Sequence, residues 1–269
     1  MSTDGSDPRA SQPQTPQTPA EAVRTAQQEA RFGAAFFRVY GPRLLLVFLG
    51  VLLPLWGFGA LVEDLQEGKP FAFDVPLLQF LHAQAGPTLD RFALLATRIG
   101  YAWGVMPFDV LFVAVMAWRR HFREGLFAGI ALFGSALLNV GAKHSFERAR
   151  PDLWISIAPE RTYSFPSGHA MGSMTLALTL VLLCWSARTR WGTRWRGPVA
   201  AIGAAFVLWV GWARVYLGVH YPSDVIAGMV IGLAWAGFCM ATLEASLVLA
   251  RRRSPREVAD ELPAPTEAA

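Results

Sequence analysis

Six apolar runs, each about as long as a lipid bilayer is thick and parted by short polar loops, leave this chain few folds other than a helical membrane bundle. The runs cover 44–62, 99–118, 125–142, 170–187, 197–213 and 225–243. A helix crosses the hydrocarbon in about 20 residues, with a range of roughly 17 to 25, and it satisfies its own backbone hydrogen bonds while doing so. Only the second run contains a charge, Asp109. The composition agrees: 16% of residues are charged and 53% hydrophobic, against roughly 25% charged in soluble domains.

Orientation follows from arginine. With the N-terminus inside and six crossings, sixteen of the 24 lysines and arginines fall on the cytoplasmic side, clustered in short loops as the positive-inside rule requires. Both termini are therefore expected in the cytoplasm. The same placement accounts for the net charge of +4 and the pI near 9.4, so no nucleic-acid partner is expected. Residues 1–38 and 251–269 are polar and rich in proline or alanine; they are read as disordered tails flanking one membrane domain over 39–250. Cys184 and Cys239 each lie inside an apolar run without metal-ligand spacing, which marks them as buried small hydrophobes.

Residues 63–98 contain Pro70, Pro76 and Pro87 and a short apolar stretch, Val75–Leu81. The pattern predicts a helix lying on the membrane surface before the second span. No internal repeat is evident, which argues against an inverted-repeat transporter.

Three segments carry chemistry. The loop after the third run opens with Lys143 and reaches Arg150 and Pro151; taken alone, its cations read equally well as interfacial anchors. The same loop ends in Pro166, Ser167, Gly168 and His169 at the start of the fourth run, where free N–H groups of a helix N-terminus can cradle an anion, although a plain N-cap has the same appearance. Between the fifth and sixth runs lie Arg214, His220 and Asp224. A carboxylate one turn from a histidine can hold one ring nitrogen and leave the other free to attack or accept a proton, though such pairs are commonly structural. Topology turns these separate hints into one, because all three segments fall on the extracytoplasmic side of the model drawn from the arginines.

The three segments resemble the signature of the type 2 phosphatidic acid phosphatase (PAP2) superfamily, K-x6-RP, PSGH and SR-x5-H-x3-D. Lys143, Arg150 and Pro151, then Pro166 to His169, then Arg214, His220 and Asp224 match in order and spacing. The departure is Ala213, where the family pattern often has serine; a hydroxyl contact to phosphate is expected to be missing there. The resemblance implies an all-α bundle of six transmembrane helices with its site at the extracytoplasmic interface. It implies His220 as nucleophile forming a phosphohistidine, Asp224 orienting it, and His169 protonating the leaving group. Lys143, Arg150, Arg214, Ser167 and the N–H of Gly168 would bind the phosphate. No metal or cofactor is expected, since three cations in the site repel a divalent ion. Arg148 is expected to add to the basic field around the phosphate, and Asp109, nearer the cytoplasmic end of its run, to find a polar partner within the bundle such as Asn139.

The partners implied are the bilayer and a phosphorylated membrane lipid. Bacterial members of the family act on undecaprenyl diphosphate, phosphatidylglycerophosphate or phosphatidic acid, and the stretch Arg214–Gly228 has a bacterial look, so an enzyme of a bacterial inner membrane is expected. Two other classes remain open at this level: a phosphotransferase of the same fold, and a protein that binds or transports an anionic lipid and has no need of His220.

Overall fold

The computed structural model describes residues 47–69, 71–185 and 193–260, together with Gly41 and Leu45, and over 247–260 the helical backbone alone. Among the described residues there is no strand. The helices are α1 (Phe48–Gln66, opening with a π turn), α2 (Asp74–His82), α3 (Pro87–Ile99), α4 (Val105–Trp118), α5 (Phe122–Phe146), α6 (Gly168–Trp185), α7 (Arg196–Tyr216) and α8 (Pro222–Asp260). The chain divides into two compact units, Met1–Leu46 and Val47–Ala269, and α1 to α8 belong to the second. The expected N-terminal tail, 1–38, and the end of the expected C-terminal tail beyond 260 lie outside the described residues; α8 itself runs on past 250.

Among the described residues, five helices are long and apolar enough to cross a membrane: α1, α5, α6, α7 with its leading turn, and α8 as far as Ser246. The expected second span differs from its sequence reading. Residues 99–118 do not form one helix, because α3 ends at Ile99, a turn occupies 100–104, and α4 has only 14 residues. At about 1.5 Å per residue it covers roughly 21 Å, short of the ~30 Å hydrocarbon layer. The turn is tight: a Cβ on Gly100 would lie 2.8 Å from Val210, and one on Gly104 2.2 Å from the Ile99 carbonyl. Hydropathy registers neither contact. Asp109 then falls in the second turn of α4, at the end next to 100–104, and not towards the far end as the sequence suggested.

The outside of the bundle is apolar. Leu137 and Ile202 are 74% and 70% exposed, as expected of side chains that meet lipid tails instead of water. Inside, α6 is the central helix, packed most extensively on α8 and α7. Without a hydrophobic drive between helices in lipid, close backbone approach has to hold them together. Gly228 and Gly232 of α8 supply it: a Cβ on Gly228 would stand 2.5 Å from the Ser167 carbonyl, and one on Gly232 2.7 Å from the Met171 carbonyl. Polar pairs add to the packing, with Ser135 and Thr175 hydroxyls 2.9 Å apart across α5 and α6 and Trp235 Nε1 donating to the Ala131 carbonyl at 2.9 Å. A second apolar cluster joins α3 to α7 through Ala93, Ala96, Ala213 and Tyr216.

Because Gly228 meets backbone and not a flexible side chain, it cannot be enlarged cheaply. Gly228→Val is expected to destabilise the bundle by about 1–3 kcal/mol, read as a lower midpoint of thermal unfolding in detergent. Gly197→Ala, where an added Cβ meets open space, should leave the midpoint unchanged or raise it.

Candidate active site

Four helix ends and one loop converge at one end of the bundle. Lys143 stands in the last turn of α5, Arg214 in the last turn of α7, Asp224 in the first turn of α8, and Gly168 and His169 open α6. The loop 147–167 runs between them. The α7 end is fixed by Gly218, whose φ of +68° suits glycine and whose missing side chain leaves room for the Trp154 ring, 2.6 Å from an ideal Cβ. The turn into α6 is pinned by Asn139 of α5, which donates to the Pro166 carbonyl at 3.2 Å and leaves no space for a side chain at Gly168. Asn139 thus serves this turn, and no bond joins it to Asp109; Asp109 Oδ1 is buried without a hydrogen-bond partner.

The eight residues singled out from sequence come together here. Lys143 Nζ and the Arg150 guanidinium share Thr162 Oγ1 at 3.0 Å each, and both reach the Tyr163 carbonyl, at 2.6 and 3.3 Å. Arg150 also donates to the Thr162 carbonyl at 2.7 Å and the Val219 carbonyl at 2.6 Å. Arg214 is fully buried, with one nitrogen on Thr97 Oγ1 at 2.5 Å and another paired with Glu160. Two buried donors within the site have no hydrogen-bond partner: Ser167 Oγ, at the start of α6, and Nε of Arg214. Buried polar atoms are seldom left so.

His220 sits at the centre, 1% exposed. Its Nε2 lies 3.1 Å from an Arg150 nitrogen, which can only donate, so Nε2 carries the lone pair and the proton sits on Nδ1. Nδ1 faces Asp224 Oδ2 at 3.4 Å and Ser164 Oγ at 3.5 Å. Burial, then the charges of Arg214 and Arg150, push the imidazole well below its usual 6.5. The ring is therefore neutral at pH 7, with a lone pair held among cations. Asp224 is bound by Ser164, by the Tyr221 N–H at 2.9 Å, and by Arg148.

Several residues of the site carried no sequence signal. Glu160 bridges Arg214 and Arg150, at 2.7 Å from the latter, and lies 4.0 Å from His169 Nδ1. Burial alone would raise its carboxyl, but Arg214 and Arg150, helped by His169 and His220, hold it down to about 2. Arg148, expected beside the phosphate, turns the other way, onto Asp224 and onto Asp74 of α2. Ala213, expected to cost a phosphate contact, packs in the apolar cluster against α3. His82 stacks on Trp154 with centroids 3.9 Å apart, and His144 bonds its own helix at the Val140 carbonyl, 2.8 Å away.

A polytopic membrane protein with a cluster of cationic side chains around a buried histidine is the class that fold and site define. The PAP2 superfamily model matches residues 124–247. An undecaprenyl-diphosphatase from Sulfolobus acidocaldarius is 27% identical over 208 residues, 76% of this chain and 90% of that protein. Phosphatidylglycerophosphatase B of Bacillus subtilis is 30% identical over 147 residues, 55% of this chain and 71% of that protein. The crystal structure of a transmembrane PAP2-type phosphatidylglycerolphosphate phosphatase from Bacillus subtilis superposes with a TM-score of 0.61 at 26% identity, covering 72% of this chain and 96% of that one. The chain belongs to the PAP2 superfamily.

Two measurements follow from these charges. In a detergent-solubilised sample with labelled histidine, NMR titration should place His220 below 6.5; Arg150→Gln, by removing a cation, should move it upward. Glu160→Gln removes an anion from between two arginines, so inorganic phosphate should bind about tenfold more tightly, as a change of roughly 1.4 kcal/mol in a screened site implies; calorimetric titration would read it.

Proposed function

We propose that this protein is a membrane lipid phosphatase that removes phosphate from an envelope lipid, a diphosphate or a monoester, through a phosphohistidine on His220. The observation that carries the reading is the pairing of two partnerless buried donors, Ser167 Oγ and Arg214 Nε, with a neutral histidine whose lone pair lies among cations. A phosphoryl group offers the oxygens such donors lack and the electrophilic centre such a nitrogen attacks.

The Nε2 lone pair of His220 forms a bond to phosphorus while the bond from phosphorus to the lipid oxygen breaks, and His169, which takes up a proton from solvent as the anionic phosphate enters beside it, gives that proton to the lipid oxygen. Asp224, facing Nδ1–H, stabilises the positive charge that develops on the ring. Water then attacks phosphorus, the P–N bond breaks, and His169 takes back a proton as inorganic phosphate leaves. Lys143, Arg150, Arg214, Ser167 and the N–H of Gly168 balance the equatorial oxygens, so positioning and electrostatics do most of the work. The crowding of three cations disfavours a divalent ion, and the reaction is written without one.

Six crossings fit this reading. The turn before α4 and the end of α5 both lie at the site end of the bundle, since Tyr101 packs on His169, their rings 4.9 Å apart, and Lys143 faces Tyr163. The short α4 therefore leaves the site end and α5 returns to it. Arg119, Arg120 and Arg123, between or beginning these helices, and Arg194 and Arg196, before and at the start of α7, then gather at the opposite end. By the positive-inside rule, this clustering supports a cytoplasmic place for that end and an extracytoplasmic one for the site. The relatives' names supply the substrate class: undecaprenyl diphosphate, phosphatidylglycerophosphate and lipid A phosphates are all anionic lipids.

Purified protein should release phosphate from at least one of undecaprenyl diphosphate, phosphatidylglycerophosphate and phosphatidic acid with chelator present, and His220→Ala should reduce the rate by more than about a thousandfold. Release that survives in the variant removes His220 as nucleophile. A folded wild type silent on every lipid points to binding or transfer.

A further inference from the structure

Arg148 lies two residues before Arg150 in the same loop, yet the two guanidiniums serve opposite sides of His220. Arg148 donates one nitrogen to Asp224 Oδ1 and to Ser223 Oγ, the latter at 2.8 Å, and the other to Asp74 Oδ2 at 2.9 Å. Its plane lies over the Tyr221 ring, 4.2 Å from the centroid, which closes one face of the fork. Asp74, at the first residue of α2, is 97% buried and is further held by the Ser223 N–H at 2.9 Å and the Ser223 hydroxyl at 2.6 Å. Carboxylate, guanidinium, carboxylate and imidazole thus stand in one alternating row from α2 to the nucleophile.

Each member of the row restricts the next. With Oδ1 engaged by Arg148, the Asp224 carboxylate cannot rotate, and Oδ2 is presented to His220 Nδ1. A free arginine would swing, but Asp74 and the Tyr221 ring fix it. The guanidinium also brings a positive charge against the buried Asp224 carboxylate, and Asp74 offsets that charge from the other side. Neither Arg148 nor Asp74 has a hydrogen bond or ion pair to a residue of the cradle formed by Lys143, Arg150 and Arg214.

We infer that Arg148 and Asp74 are positioning residues for the attack by His220, acting through Asp224 and not through phosphate binding. The inference rests on the phosphohistidine reading and assigns to α2, otherwise a short helix between α1 and α3, the role of bracing the nucleophile from behind.

The test compares Arg148→Gln, Arg148→Lys, Asp74→Asn and the double variant Arg148→Gln/Asp74→Asn in the full detergent-purified chain, with inhibition by inorganic phosphate measured alongside kcat and KM. Arg148→Gln should lower kcat about 10–100-fold, the usual cost of losing a group that orients a reacting one. KM and the inhibition constant for phosphate should stay within about twofold, which also shows that the variant keeps a folded cradle. Arg148→Lys should recover part of kcat, Asp74→Asn should lose kcat in the same direction, and the double variant should be no worse than about the Arg148→Gln single, because the two act in series. A rise of tenfold or more in KM and in the phosphate constant at unchanged kcat would make Arg148 a phosphate ligand and overturn the inference. So would wild-type kcat in Arg148→Gln alongside an inactive His220→Ala, which leaves the nucleophile in place; activity in His220→Ala would instead bring down the underlying reading.

Discussion

A guanidinium with no solvent exposure at the end of a membrane helix sets the terms for everything around it. Removing Arg214 from water costs several kcal/mol unless its charge and donors are met, and Thr97 of α3 and Glu160 of the loop meet most of them. Glu160 cannot serve Arg214 alone, because Arg150 and Lys143 bring further positive charge to the same place. The repulsion is relieved by carbonyls of Thr162, Tyr163 and Val219. The path of the loop 147–167, which has no regular structure to guide it, is thus drawn by the oxygens that three crowded cations require.

His220 stands on the border between two charge systems. On one side lie the cations with Glu160; on the other lies the row from Asp224 through Arg148 to Asp74. Burial and then the cations keep the ring neutral, while Arg150 and the carboxylate face opposite ring nitrogens, so the tautomer and the lone pair are set by opposite neighbours. Glu160 occupies, with two carboxylate oxygens, a position between Arg150 and Arg214 that suits two oxygens of a phosphoryl group equally well. On the proposed function, an incoming phosphate dianion would carry more charge than the carboxylate it meets, a difference that would favour exchange.

The helices and the residues gathered in the candidate site were legible in the sequence for different reasons. Apolar runs 17 residues or longer announce spans through composition alone, and the three signature segments announce a site through spacing. What failed to show was contact. The break at Gly100 and Gly104 comes from Val210 and the Ile99 backbone, neither visible to hydropathy. Arg148 and Arg150 have the same chemistry two residues apart, and only the direction of each side chain separates a brace from a cradle. Glu160 and Asp74 sit in stretches with no periodicity or motif, and their importance appears only when buried partners are known. Ala213 stands one step along the helix from Arg214, a turn of about 100°, and packs in the apolar cluster with Ala93 and Ala96 of α3.

The deepest coupling between fold and site is made through backbone. The close approach of α8 to the start of α6, permitted by Gly228, lets the Ser167 N–H donate to the Asp224 carbonyl at 3.0 Å. That bond ties the segment holding Ser167 to the segment holding the histidine's carboxylate, while Asn139 ties the same turn to α5, the helix with Lys143 in its last turn. Signature segments far apart in the chain are therefore fixed relative to one another before any side chain meets a substrate. In a bilayer, where helices have little hydrophobic reason to associate, the contacts that hold this bundle together at one end are also those that set the geometry of the reacting groups. A bundle loosened there would lose its stability and its site together.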